Sequence, residues 1–198
     1  MDSLEENGEE LERKKSSGFW EGVKELVRFT ILSLLIIIPF RTFIAQPFVV
    51  NGTSMDPTFK NGDYLIVNQI SYRFEKPARG EVIIFKYPRD LSKSFIKRVI
   101  GLPGETVEID GTEVTIKNAE NSNGLRLLEP YIVHQGSASM TVTLKEDEYF
   151  VLGDNRAGSL DSRYWGPLKR DLIVGTPLVR LLPPQTVSLH PGDWSTRY

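Results

Sequence analysis

The chain has 198 residues, of which 40% are hydrophobic, and it carries a formal net charge of −2. This length and hydrophobic content suffice for one folded domain with a tail and an anchor, and they exclude a wholly disordered chain. The near-neutral charge argues against nucleic acid as a partner, and the absence of cysteine excludes disulfides, thiolate metal sites and a cysteine nucleophile.

The N-terminal segment is polar and acidic. Residues 1–28 contain eight Asp/Glu and five Lys/Arg, whereas the rest of the chain is nearly neutral. We therefore expect a disordered acidic tail over residues 1–18 and a helical lead-in over residues 19–28.

An uncharged apolar run, FTILSLLIIIPF, follows at residues 29–40. Twelve helical residues reach only about 18 Å, so a membrane span needs the longer stretch from about Leu26 to Ala45, with Arg41 reaching the interface. A buried core helix and a cleavable signal peptide are the alternatives. The sequence RTFIAQP after the run has no small-residue cleavage site of the A-x-A type.

Charged and aromatic residues at both ends of the run favour an uncleaved single-pass anchor, which with its lead-in covers residues 19–45. Lysine and arginine residues precede the run, and this distribution places the N-terminus in the cytoplasm and the body of the protein on the outer face of the membrane.

From Phe48 onward, short β-branched runs alternate with Gly, Pro, Asn and Asp, a pattern typical of antiparallel strands. Strands are predicted at residues 48–51, 63–70, 80–87, 94–101, 105–109, 113–117, 139–144, 148–152 and 173–182. Asp110-Gly111 predicts a tight hairpin, residues 118–136 a small surface insertion, and residues 186–198 a C-terminal tail. The predicted fold class is mostly β, with an antiparallel, curved or barrel-like domain over residues 46–185 and one N-terminal transmembrane helix.

Ser54 lies in NGTSMDPTFKNGD, where Gly52 and Pro57 indicate a turn. A turn can expose both a serine hydroxyl and its backbone N–H, so Ser54 is a candidate nucleophile, although most such serines are ordinary turn residues. His134 and His190, the two histidines of the chain, stand in no catalytic context and are interpreted as surface residues. A nucleophilic Ser54 therefore needs another base.

Lys97 is the best candidate for that base, because it lies in the apolar strand sequence SFIKRVIGLPGE. A lysine with a pKa of about 10.4 is less than 0.1% neutral at pH 7, and burial among apolar side chains can lower that pKa by about 3 units. The alternative is a charged lysine on a solvated strand face. A polar loop, residues 153–166, follows another strand and has Asp and Arg spacings that suit local ion pairs.

Five motifs occur in chain order: SMDPT, GDYLIVN, RGEVIIFKYP, FIKRVIGLPGE and GDNRAGSLDSRYWG. Together they closely resemble those of type I signal peptidases over roughly residues 20–182. The resemblance implies a membrane-bound serine endopeptidase that uses a Ser-Lys dyad, without metal or cofactor, to remove N-terminal signal peptides from exported preproteins. The implied partners are signal peptides and the lipid bilayer, with the export machinery as a further candidate and no nucleic acid.

The resemblance also assigns roles by position. Ser54 corresponds to the nucleophile and first oxyanion donor, Lys97 to the general base, and Ser159 to the serine that orients the lysine amine. The implied supporting residues are Met55, Pro57, Arg98, Asp154, Asp161 and Arg163. The implied substrate-binding residues are Phe48, Val50 and Ile96. Gly52 departs from the pattern, because some relatives have at this position a serine that serves as the second oxyanion donor.

Two other functions compete with this interpretation. One is a self-cleaving Ser-Lys protease of the stress-repressor type, which shares a serine before methionine and a distant lysine. The other is a non-catalytic, membrane-tethered β binding module, in which Lys97 would be charged and exposed.

Overall fold

The computed structural model describes residues 2–39 and 45–194, with side chains described for residues 20–38, 46–72 and 74–194. The chain divides into two units, residues 1–43 and residues 44–198.

The first unit contains helix α1, Asp2–Pro39. The helix includes residues 2–18, which we predicted to be disordered. Glu, Lys, Leu and Arg are good helix formers, and this propensity explains the difference. The predicted membrane span runs to Ala45, and residues 40–44 of that prediction lie outside the described residues. No helix in the described part of the chain combines the length and the apolar character that a membrane crossing needs.

The second unit is mostly antiparallel β structure, as predicted. Its strands are β1 Ala45–Val49, β2 Tyr64–Asn68, β3 Val82–Tyr87, β4 Asp90–Gly101, β5 Thr106–Gly111, β6 Glu113–Lys117, β7 Leu125–Arg126, β8 Ala138–Thr143, β9 Glu148–Leu152, β10 Leu168–Lys169, β11 Ile173–Leu182 and β12 Ser188–Leu189. A short helix, α2, covers Ser162–Trp165. All nine predicted strands are present, and β7, β10 and β12 are short additions.

The strands form two sheets. The larger follows the order β1-β2-β11-β3-β4-β9-β10, with β12 paired to β11, and the smaller follows β7-β6-β5-β8. The larger sheet has two ends, β1 and β10, among the described residues, so it is open rather than the closed barrel that the sequence pattern also allowed.

Strand β3 lies at the centre of the larger sheet, and its residues Val82 to Phe85 are all buried. Side chains alternate along a strand, so this burial means that both faces of the sheet are covered. Val82 and Ile84 pack in one core cluster, and Ile83 and Phe85 pack in another. Strand β4 pairs with β3 and thereby carries Lys97 opposite Ile83.

Two segments are more closely packed than we predicted. Residues 118–136 contain β7 and bury Leu127 and Tyr131, so this insertion is not simply a surface excursion. The predicted C-terminal tail includes β12, which pairs with β11.

Candidate active site

Ser54 is held in a compact loop between β1 and β2. Met55 and Phe59, which are 1% and 0% exposed, anchor this loop in the core, and the Phe59 N–H donates to the Met55 carbonyl at 2.9 Å. The Ser54 carbonyl accepts from the Asn155 N–H at 3.1 Å. The backbone around Ser54 is thus fixed from both sides, while its side chain stays partly exposed.

Lys97 reaches Ser54 from strand β4, and its Nζ lies 2.7 Å from Ser54 Oγ. The amine also donates to the Ile96 carbonyl at 2.8 Å and lies 5.5 Å from the centre of the Phe95 ring. The residue is only 3% exposed. Burial lowers the pKa of Lys97 from 10.5 to about 8, against the opposing effect of the Asp161 and Asp154 carboxylates. At that pKa about one-tenth of the lysine is neutral at pH 7.

The polar loop after β9 packs against the Ser54 loop. Asn155 Nδ2 donates to the Thr53 carbonyl at 3.1 Å, in addition to its backbone contact with Ser54. A Cβ atom at Gly153 would overlap with Ser159 Oγ and would lie 2.5 Å from the Ser54 carbonyl oxygen. Glycine is therefore what lets the two loops approach each other this closely.

Ser159 lies beside this contact and is 5% exposed. Its hydroxyl has no hydrogen-bond partner among the described residues. The hydrogen bond to the Lys97 amine that we expected is thus not formed in this arrangement. The role of Ser159 in orienting the amine stays a prediction.

Arg98 and Asp154 form a buried ion pair next to the dyad, with exposures of 0% and 1%. Arg98 Nε and Nη2 donate to the two Asp154 oxygens at 2.8 and 2.6 Å. Thr58 Oγ1, from the Ser54 loop, also donates to Asp154, at 2.5 Å. The pair therefore links strand β4 to the loop that carries the serine.

Asp161 and Arg163 form a second pair at the start of α2. Asp161 caps this helix and accepts from Arg163 Nε at 2.8 Å and from the Gly153 N–H at 3.1 Å. Arg163 Nη2 donates to the Arg156 carbonyl at 2.6 Å, and Arg156 pairs with Glu129 of the 118–136 insertion, whose side chain is 7% exposed. These bonds rigidify the polar loop, as its sequence predicted.

A groove of about 360 Å³ opens at the dyad. Its lining consists of residues from β1, the Ser54 loop, β4 and the polar loop: Phe48, Val49, Asn51, Gly52, Thr53, Ser54, Ser94, Phe95, Ile96, Lys97, Gly158 and Leu160. This lining includes Phe48 and Ile96, whose substrate-binding role stays a prediction. Val50 is 2% exposed, packs in the core with Met55 and is not among the residues that line the groove, so its substrate-binding role stays a prediction.

Two strand edges border this groove. Strand β1 is one of the two ends of the larger sheet in the described part of the chain. Strand β4 pairs with β9 only from Arg98 onward, so residues 94–97 have one edge without a strand partner among the described residues. Unpaired edges are suited to accept an extended peptide.

Several residues around the site were not singled out from the sequence. Asn155, Thr58 and Glu129 hold the site loops through contacts between segments that are distant in the chain. Leu160 is 46% exposed in the groove. It is the one apolar residue in the run GSLDS, and this exception could have indicated it from the sequence. His134 was interpreted as a surface residue; its ring is about half exposed and lies 3.4 Å from Asp56.

Comparison with known proteins places the sequence in a family. The family model described as signal peptidase, peptidase S26, matches residues 23–182. A probable signal peptidase I-2 of Synechocystis sp. is 37% identical over 93% of this chain and 84% of its own length. The signal peptidase I of Leptolyngbya laminosa is 39% identical over 86% and 83%, respectively.

A crystal structure of a signal peptidase I from Enterococcus faecalis V583 is 36% identical, with a TM-score of 0.42 over 52% of this chain and 97% of that chain. The family model alone covers most of the sequence and includes all five motifs. The chain belongs to the signal peptidase family, peptidase S26.

Proposed function

We propose that this protein is a serine endopeptidase that cleaves N-terminal signal peptides from exported preproteins with a Ser54-Lys97 dyad. The observation that carries this proposal is the 2.7 Å separation between Lys97 Nζ and Ser54 Oγ at a lysine that is 3% exposed. Family membership supplies the substrate class, and the dyad supplies the chemistry.

In the first step, neutral Lys97 takes the proton of the Ser54 hydroxyl as Oγ attacks the scissile carbonyl. The resulting ammonium then gives that proton to the leaving amine, and an acyl-enzyme remains on Ser54. A water molecule, deprotonated by the same lysine, hydrolyses the ester and restores the serine. The low pKa of Lys97 makes the neutral amine available near neutral pH.

The backbone N–H of Ser54 is the proposed oxyanion donor, because it donates no hydrogen bond within the described part of the chain. The Gly52 N–H, by contrast, donates to Asn61 Oδ1 at 2.8 Å. Because the Gly52 amide is already bonded to Asn61, it is not the second oxyanion donor in this arrangement. One well-placed donor contributes about 3 kcal/mol to transition-state stabilisation.

The substrate is proposed to bind as an extended strand between β1 and residues 94–97 of β4. Its backbone would hydrogen-bond to these two edges, and its side chains would alternate between the groove and solvent. Phe48, Ile96 and Leu160 give the groove a shallow apolar lining that suits small side chains before the cut.

We also propose that the segment from about Leu26 to Ala45 anchors the protein in a membrane as a single pass, with the catalytic unit on the outer face. Apolar side chains on α1, such as Leu35 and Ile36, are 65% and 71% exposed, and an apolar environment would cover them. Carbonate extraction of membranes tests this proposal: the protein should stay in the pellet, and quantitative release into the supernatant would contradict an integral anchor.

The catalytic proposal is tested with purified full-length protein and a separate preprotein. Ser54→Ala and Lys97→Ala should each abolish cleavage, whereas Lys93→Ala, on the same strand but with a side chain 65% exposed, should cleave as the wild type does. Cleavage by either dyad variant would contradict the assignment. Self-cleavage without cleavage of the preprotein would favour the self-cleaving alternative, and binding without cleavage would favour the binding module.

A further inference from the structure

We infer that the C-terminal segment, residues 190–194, positions the catalytic dyad by tying the strand of Lys97 to the loop of Ser54. This inference rests on the proposed function. The segment lies beyond residue 182, where the match to the family model ends. Gly192 is its central residue.

On one side, Gly192 binds the strand that carries the base. Its carbonyl accepts from Arg98 Nη1 at 2.5 Å, and Arg98 directly follows Lys97 and is fully buried. The same Nη1 donates to the Gly80 carbonyl at 2.6 Å. The hydrogen bond is charge-assisted, a class that is stronger than a neutral one, so it fixes the guanidinium and the adjacent backbone.

On the other side, Gly192 packs directly on the loop that carries the nucleophile. A Cβ atom at this position would lie 2.6 Å from Thr58 Cγ2 and 3.0 Å from the Phe59 ring. Thr58 donates to Asp154, and Asp154 pairs with Arg98. Gly192, Arg98, Asp154 and Thr58 therefore form a closed set of contacts that spans both elements of the dyad.

The segment is itself held in place by ordered contacts. Its first residue, His190, donates its backbone N–H to the Leu178 carbonyl at 2.8 Å. At its other end, the Trp194 ring packs edge-on against Tyr131 with 5.5 Å between ring centres. Tyr131 in turn lies 4.0 Å from the Arg98 guanidinium. The segment is thus anchored on both sides of Gly192.

Gly192→Ala is the perturbation that tests this role. Ordinary carbon–carbon contact begins near 3.5 Å, so the new methyl group would have to move the Thr58 contact by about 0.9 Å. A misplacement of about 1 Å can lower catalysis by about 100-fold, and we expect kcat to fall by roughly 10- to 100-fold. We expect KM to stay within about twofold, because the atoms nearest the added methyl group belong to Thr58 and Phe59 and not to the groove residues Phe48 and Ile96.

The matched control is Gly111→Ala at the β5–β6 hairpin. Gly111 also has a positive φ, +61° against +75° at Gly192, but a Cβ atom there meets no atom of the described residues within 4 Å. This control therefore carries the backbone strain without the clash, and its kcat should equal that of the wild type. Adding Thr58→Ser to Gly192→Ala removes the clashing methyl group and keeps the hydroxyl for Asp154. The double variant should recover at least part of the lost kcat, measured against Thr58→Ser alone.

All variants are assayed as full-length protein on a preprotein, at a temperature well below each Tm. Wild-type cleavage and an inactive Ser54→Ala first establish the proposed function independently. If Gly192→Ala does not fold, Trp194→Ala replaces it; that variant adds no clash and should lower kcat at least threefold. A wild-type kcat in Gly192→Ala or, where it is needed, in Trp194→Ala would overturn the inference, as would an unrescued loss in the double variant.

Discussion

The buried pair of Arg98 and Asp154 gives the sharpest quantitative prediction. Both side chains are excluded from solvent, and the two Asp154 oxygens accept from Arg98 Nε, Arg98 Nη2 and Thr58 Oγ1. Asp154→Ala would leave a buried guanidinium without its counter-ion. Removal of one member of such a pair costs about 3–5 kcal/mol, a large part of the 5–15 kcal/mol by which a typical domain is stable.

Urea denaturation, followed by tryptophan fluorescence, measures this loss. The matched control is Glu108→Ala, which breaks the pair between Lys117 and Glu108, whose side chains are 40% and 34% exposed. Exposed pairs contribute about 0–1 kcal/mol, so the control should lose at most that amount. Equal losses in the two variants would refute the argument from burial.

The same substitution also affects the base. The Asp154 carboxylate raises the pKa of Lys97, against the larger effect of burial. Without this carboxylate, and with the Arg98 charge uncompensated, the pKa of Lys97 should fall further below 8. The acidic limb of kcat/KM should therefore move to lower pH in any Asp154→Ala protein that remains folded, and a shift to higher pH would contradict this electrostatic account.

Lys97, Gly153 and Ser159 each allow a further test of the site. The folded-state pKa of Lys97 lies below its ordinary value, so between about pH 8 and 10.5 the unfolded chain binds one more proton than the folded chain. The free energy of unfolding of the wild type should therefore rise across this window, by about 3 kcal/mol relative to that of Lys97→Met in urea denaturation. A difference between the two proteins that does not change with pH would argue against a depressed pKa. Gly153→Ala should abolish cleavage, because its methyl group would overlap with Ser159 and crowd the Ser54 carbonyl; wild-type kcat in this variant would show that the loops do not need this contact. Ser159→Ala should lower kcat about tenfold or more without lowering the free energy of unfolding, since the buried hydroxyl has no partner among the described residues, and unchanged kcat would remove its orienting role.

Much of the fold followed from local sequence patterns. Alternating β-branched runs located all nine long strands, and Asp110-Gly111 marked the hairpin between β5 and β6. The two-residue strands β7, β10 and β12 carry too few residues for any periodicity. The openness of the larger sheet depends on which strands pair at its ends, and this is set by contacts between distant segments.

The dyad was predictable for a physical reason. A lysine in an apolar strand needs a compensating partner, and a turn serine without a nearby histidine needs a base. Val50 is buried in one cluster with Leu65, Val82 and Ile96, which are distant in the chain, so no local pattern indicated its burial. The contacts of Asn155, Glu129 and Gly192 join segments that are far apart in the chain, so no local pattern indicated them.

Catalysis by the dyad requires that Lys97 be neutral often enough near pH 7 to act as the base. The most direct measurement is an NMR titration of the Lys97 Nζ resonance in the full-length, substrate-free protein, assigned by comparison with Lys97→Met. We predict a pKa of about 8, because burial lowers the pKa of Lys97 more than the Asp161 and Asp154 carboxylates raise it. A pKa near 10.4, the ordinary value for an exposed lysine, would contradict the account.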